Sequence, residues 1–473
     1  MFRSHSPSTL VAGLLLIVPA TAQGGGGPGA EGPTLGPLPG RITQADITGG
    51  GMTLDDIRAA GLKIFATPFN KLDGFGDGPM DFSDTTSPGG RPTLQNNGTF
   101  LRVNGLDSQT CMECHGIGSF QTVPFRFEVG GVGASSDNAI GGPTNIDVDD
   151  EVGNGFAGFN GRFINSPFLF GSGGVELLAK EMTVDLQNAG RRAQLNPGVQ
   201  LKLQSKGVPF GHITFNASTG VLDTSRVRGV AEDLVVRPFG RKGERRTVRD
   251  FDVDALSFHH GMQAVEMVGA GVDDDNDGVT DEVLIGEVSA MHIFNTNLER
   301  PTQDPLTPPS VAGRDRFNDI GCAGCHVPFL DSRTPVLGYQ FPEEPETPLA
   351  NPFYSVDLTA TTAGFDLNPL GGIRVPLFSD LKRHDMGASL AEGISDASFA
   401  PMFITARLWG IADTAPYLHD GRALTLNDAI LGHGGEGQTV RDNYASLTPM
   451  QRQQVVAFLQ TLRTPVGVAT DLY

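Results

Sequence analysis

Cysteine is scarce in this chain, with 4 residues in 473, which is too few for a disulfide-stapled scaffold. Tryptophan occurs once and tyrosine five times. Positive charge is in deficit: 34 Lys and Arg stand against 54 Asp and Glu, a net charge of −20. That balance argues against nucleic acid and anionic membrane surfaces as partners. Long apolar runs are also missing. The N-terminal run from Val11 to Ala20 is about half of the 20 residues a spanning helix needs, so no stable membrane span is expected. Glycine (63) and proline (32) are abundant, which favours loops over a bundle of long helices. The length leaves room for two or three domains.

The few cysteines fall into one pattern, written twice: Cys111-Met112-Glu113-Cys114-His115 and Cys322-Ala323-Gly324-Cys325-His326. C-x-x-C-H is the attachment signature of c-type haem. Two thiols add to the vinyl groups and the next histidine supplies an axial bond. At positions i, i+3 and i+4 of a helical turn, all three groups share one face. A zinc site from two C-x-x-C pairs or a disulfide framework would use the thiols but gives no reason for a histidine after each pair. The reading is two covalently bound haem c groups, with Cys111, Cys114, His115, Cys322, Cys325 and His326 as their residues. No thiol is left over.

The N-terminus agrees. Arg3, the apolar run and Ala20-Thr21-Ala22 form a secretory leader over 1–22, so a periplasmic location is expected. Residues 23–45 are rich in Gly and Pro and read as a linker. Thr53 and Asp56 then signal a helix start, with Ile57, Ala60 and Ile64 on one face. A weak repeat follows: Ala60-Gly61-x-x-x-Phe65 precedes the first haem motif and Ala312-Gly313-x-x-x-Phe317 the second. The segments 208–215 and 234–236 look like strands, and the cluster Arg237 to Arg249 reads as a solvated face or a propionate-binding loop. Pro301 to Pro309 reads as an interdomain connection, which divides the chain into an N-terminal haem domain with insertions over 46–300 and a C-terminal one over 301–473. Near the end, Thr425 caps a short helix that stops at Gly434-Gly435 just after His433. Thr448 to Gln451 is a capping box, and Val455, Phe458, Leu459 and Leu462 form the stripe of a closing helix.

The stretch Leu408-Trp409-Gly410-Ile411-Ala412-Asp413-Thr414-Ala415-Pro416-Tyr417-Leu418-His419-Asp420-Gly421-Arg422 resembles the bacterial di-haem cytochrome c peroxidases, and more closely their relatives, the di-haem oxidoreductases. Asp380-Leu381, His384-Asp385-Met386-Gly387 and His433-Gly434-Gly435-Glu436 add to the resemblance, which is strong over 310–465 and patchy over 50–300. It implies a mainly α fold of two cytochrome-c-like domains, one haem each, with loop-rich and some β insertions in the N-terminal half. One haem would take in electrons and the other activate peroxide.

The resemblance also implies roles. His115 and His326 would be proximal ligands. Where the peroxidases place a distal methionine for the second haem, this chain has His433; Met386 is the runner-up. For the first haem, Glu176 and Glu181 are the candidate catalytic acids, able to move a proton between peroxide oxygens, and His259-His260 are further distal candidates. The tryptophan that links the haems in several family members has no counterpart, and the only Trp is Trp409, which leaves the electron path open.

A separate motif runs from Asp273 to Glu282 and fits D-x-D-x-D-G, the start of a calcium loop with Asp273, Asp275, Asp277 and Asp281 as ligands. Position twelve is Leu284, which does not support an EF-hand. The function expected is a di-haem c-type peroxidase that reduces hydrogen peroxide, or another small oxidant, with electrons from a small c-type cytochrome or a cupredoxin. The alternatives are a di-haem electron-transfer cytochrome and a peroxide- or O2-dependent oxidase of an organic or protein substrate.

Overall fold

Two helix crossings of the same kind organise the chain in the computed structural model, which describes residues 33–36, 40–70, 72–75, 110–113, 115, 132–134, 161–163, 167–392 and 397–465. The expected leader, much of the linker and Cys114 lie outside the described residues.

In the first crossing the side chain of Thr53 accepts the Asp56 amide, and Asp56 accepts the Thr53 amide in return, which starts the helix Leu54–Ala66. Its buried face carries Ile57, Gly61, Leu62, Ile64 and Phe65 and packs on the helix Ile285–Thr296. Gly61 lies directly on the Ala290 carbonyl and the Phe294 side chain. One turn on, the Phe65 and Phe294 rings meet at 5.7 Å.

The second crossing repeats this arrangement. Thr307 and Ser310 cap the helix Pro308–Asp319, and Thr448 and Gln451 form the capping box of Pro449–Leu459. Gly313 lies on the Gln454 carbonyl and the Phe458 side chain, and Phe317 meets Phe458 at 5.5 Å. In both cases glycine lets two helix backbones touch, and the residue four places later puts an aromatic ring at the seam. The short sequence repeat is therefore a structural repeat.

Around these crossings the architecture is a mixture of helix and short strands rather than mainly α. A 24-residue helix, Ser172–Leu195, is the longest described. Strands Leu201–Ser205, Val208–Asn216 and Val221–Asp223 form an antiparallel sheet, with an irregularity between Leu203 and Gln204, so the expected strand over 208–215 is present. Most other strands are pairs of two to four residues. Among the described residues, no helix is long and apolar enough to cross a membrane.

Three local expectations need correction. Residues 234–236 are buried but form no strand. Leu234 has φ +60°, the Val235 amide donates to Asp233 and the Val236 amide to Thr183, so side chains take the bonds a ladder would need. The closing helix ends at Leu459, and Leu462 instead pairs as a strand with Gln303. The cluster Arg237 to Arg249 is not a solvated face. Lys242 and Arg249 are buried: Lys242 holds the carbonyls of Phe399, Ala400 and Met402, and Arg249 binds Glu266 and Ser289. Arg237, Arg241, Arg245 and Arg246 pair with Asp233, Glu392, Asp254 and Asp250.

The crossings give a direct prediction. A Cβ on Gly313 would collide with the Gln454 carbonyl, which is backbone and cannot rotate away. Gly313→Ala should therefore destabilise the protein by about 1–3 kcal/mol in denaturant unfolding, although alanine favours a helix by about 1 kcal/mol. A net gain in stability would show that the helices do not need this contact.

Candidate metal centres

The second C-x-x-C-H motif follows the helix Pro308–Asp319 through Gly321, whose φ of +101° turns the chain into the short 3-10 turn Cys322–Gly324. That turn lets the His326 amide donate to the Cys322 carbonyl at 2.9 Å, which brings the histidine back over the cysteines. The His326 ring lies 6.4 Å from Phe317 at 49°, and its Nδ1 donates to the Phe378 carbonyl at 3.1 Å.

His433 faces this ring. The centroids are 6.4 Å apart at 65°, and His433 Nδ1 donates to the Ala429 carbonyl at 2.9 Å. With Nδ1 of each ring tied to a carbonyl, the basic lone pair sits on Nε2, as in metal-binding histidines. An imidazole nitrogen binds a metal at about 2.0–2.1 Å, so two rings on opposite sides of one ion would have centroids about 6.3 Å apart. The observed separation fits a single ion held between His326 and His433. Loss of water around the ring, and the nearby His433, push His326 down to about 4. Desolvation also lowers His433, so both rings are neutral donors at pH 7. Met386 packs beside His433 near Gly437.

The first motif repeats the proximal half. Cys111–Glu113 is a 3-10 turn, and the His115 amide donates to the Cys111 carbonyl at 2.9 Å. The His115 ring lies 6.4 Å from Phe65 at 49°, the same figures as in the second motif. Its Nδ1 donates to the Pro167 carbonyl at 2.9 Å, 52 residues on, and the His326–Phe378 bond spans the same 52. Desolvation, with His259 nearby, pushes His115 down to about 4, so His259 stands to His115 electrostatically as His433 stands to His326. His260 Nε2 lies 3.7 Å from Cys111 Sγ. Both histidines sit on a π-turn, Leu256–His260, closed by Gly261 at φ +72°; such turns concentrate at functional sites. Cys114 lies outside the described residues.

The donor sets of both motifs therefore fit a covalent haem. A neutral, carbonyl-anchored imidazole follows each C-x-x-C, at the end of a glycine-and-aromatic helix crossing.

The two glutamates keep other company. Glu176 is fully buried: its carboxylate accepts from His292 Nε2 at 2.9 Å and the Val248 amide at 2.8 Å, and pairs with Lys180 at 2.9 Å. Burial would raise its pKa, but His292 and Lys180 outweigh that and hold it below the usual carboxylate range. Glu181 binds the Lys206 ammonium and the Arg333 amide. The structure thus places both carboxylates in buried ion pairs on the helix Ser172–Leu195, while His259 and His260 approach the first motif.

Three features escaped the sequence reading. His384 bridges Asp380 at 3.0 Å and Glu436 at 2.8 Å. Burial works against its charge, yet Asp380, Cys325 and Glu436 push it up to about 10, which puts an imidazolium beside the second motif. The i, i+4 pair Asp380/His384 was the available signal. The helix Ile285–Thr296 is the second. Trp409 is the third: it is buried against Gly171, while the adjacent Leu408 amide donates to Leu377 and Gly410 abuts Phe168. The segment 408–410 thus touches the neighbours of both carbonyl anchors, Pro167 and Phe378.

In the acidic loop, oxygens of Asp273, Asp275 and Asp277 lie within 4.8 Å of one another. Asp281 turns away and accepts the Gly271 amide at 2.8 Å. Burial and the neighbouring carboxylates push Asp275 up to about 7 and Glu282 up to about 9.

Residues 353–462 match the family model described as "Di-haem oxidoreductase, putative peroxidase". That range holds His384, Trp409 and His433 but neither C-x-x-C-H motif. No curated protein matches the chain. Among solved structures, hydrazine synthase of Kuenenia stuttgartiensis is 16% identical, over 60% of this chain and 92% of that one, with a TM-score of 0.29. A MauG-like protein associated with microbial copper homeostasis is 15% identical, over 53% and 78%, with a TM-score of 0.28. Likenesses at that level carry no argument about fold or function.

The ion pairs of Glu176 yield a prediction. Glu176→Gln strips a buried carboxylate from Lys180 and should cost about 3 kcal/mol or more in denaturant unfolding. The absorption spectrum of the haem-loaded protein should stay unchanged. A normal stability with an altered spectrum would instead put Glu176 at a metal.

Proposed function

From residues 353–462, which belong to the di-haem oxidoreductase family, we propose that the chain is an exported di-haem c-type enzyme that reduces hydrogen peroxide. The observation that carries this reading is the duplicated unit in which each motif histidine donates Nδ1 to a carbonyl 52 residues on. Bound haem would supply the redox-active iron at each unit.

The chain's own residues divide the work. His326 and His433 would hold the iron of the second haem, which suits that unit to taking in and passing on electrons rather than to binding peroxide. The imidazolium of His384 ties Asp380 to Glu436 beside the second motif. At the first unit, His259 and His260 are the groups next to Cys111 and His115, and a histidine there is suited to hold and return a proton. That role passes to them from Glu176 and Glu181, whose carboxylates are consumed by Lys180, His292 and Lys206. The packed segment 408–410 offers the route between the units. The net charge of −20 would steer a basic donor, a small c-type cytochrome or a cupredoxin, to the surface.

One observation favours a second reading. His259 acts on His115 electrostatically as His433 acts on His326. If it binds the first iron permanently, both sites are closed and the protein is an electron carrier.

Two experiments decide. His433→Ala should leave both haems covalently attached, turn one low-spin centre high-spin and raise its potential, since a strong donor is lost. An unchanged low-spin spectrum moves the ligand to Met386 or elsewhere. For the first site, the pre-reduced, fully loaded protein should consume peroxide and bind cyanide. His260→Ala or His259→Ala should lower turnover by about 10²–10⁴-fold at constant haem content. A wild-type protein that neither binds cyanide nor consumes peroxide is an electron carrier.

A further inference from the structure

The acidic loop is built around more than a cluster of exposed carboxylates. Asp275 is 1% exposed, and its Oδ2 has no hydrogen-bond partner. Glu282, outside the D-x-D-x-D run, is 2% exposed. The nearest guanidinium, Arg41, is spent on Glu287 and on the carbonyls of Asp281 and Glu282. Carboxylates buried in this way, with no ion pair to a basic side chain among the described residues, would cost several kcal/mol. A bound cation removes that cost.

We propose that Asp273, Asp275, Asp277 and Glu282 bind one calcium ion. Calcium takes oxygens at 2.3–2.6 Å, so two ligands of one ion lie at most about 5.2 Å apart, and the three aspartates fall within that span at 4.8 Å. Glu282 takes the place expected for Asp281, whose side chain is tied to Gly271. Its carboxylate also accepts the Gln263 amide at 2.7 Å, and Gln263 Oε1 accepts the Asp274 amide at 3.1 Å. Gln263 follows His260 by three residues. The ion therefore fastens the turn that carries His259 and His260 to the first motif, and it does so whether that site reduces peroxide or only carries electrons.

The test is calorimetric titration of calcium into the haem-loaded, full-length protein after chelator treatment. One site per chain is expected, with a melting temperature that rises with calcium by mass action. Asp275→Asn and Glu282→Gln should each weaken binding by about tenfold or more, because ligand charge sets affinity. Asp281→Asn should leave affinity within about twofold, and matching far-UV dichroism shows that the variants fold. Should one variant fail to fold, the other and the wild-type titration decide. The proposal is overturned if the wild type binds no calcium, if it prefers magnesium, or if both ligand variants bind as tightly as the wild type.

Discussion

Everything in this structure that concerns chemistry depends on one packing constraint: a glycine that lets two helices touch at their backbones. At Gly61 the neighbour is the Ala290 carbonyl, and at Gly313 it is the Gln454 carbonyl. Contact at that distance forces the phenylalanine four residues on into the seam, where it meets a second ring and, at 6.4 Å, the imidazole of the following motif. The crossing thus sets the height of the histidine, the carbonyl 52 residues away sets its rotation, and the two together point Nε2. Neither thiol chemistry nor metal is needed to explain why the two units look alike.

The charge distribution follows from the same economy. The basic residues between 237 and 249 pair with carboxylates or carbonyls, and two of them, Lys242 and Arg249, are buried. Glu176, Lys180, His292 and Glu343 form a buried network of ion pairs that joins the helices Ser172–Leu195 and Ile285–Thr296. Removing one member of such a network leaves an uncompensated charge in a low dielectric, which makes it rigid but not reactive.

How far the sequence discloses this varies with the range of the interaction. The C-x-x-C-H motifs, the capping boxes at Thr53 and Thr448 and the Gly-x-x-x-Phe spacing are local patterns with one physical meaning each, and they were legible. His433 was singled out by the resemblance alone, and the fold brings its ring to 6.4 Å from His326. The partner of the first crossing was not. The helix Ile285–Thr296 is buried on nearly every side, so it shows no amphipathic period, and about 170 residues separate it from Cys111. The surroundings of the glutamates were hidden for a similar reason: their spacing after a motif says nothing of Lys180, His292 or Lys206, which meet them only in the fold. Residues 234–236 have the composition of a strand, but Thr183 and Asp233 claim their amides.

The central claim is that both units are covalent haem sites. Intact-mass measurement of the exported protein tests it most directly, with the wild type compared with Cys111→Ala/Cys114→Ala and Cys322→Ala/Cys325→Ala. The account predicts two covalent haems on the wild type and one on each variant. A chain that carries one haem or none when all four cysteines are present would contradict it.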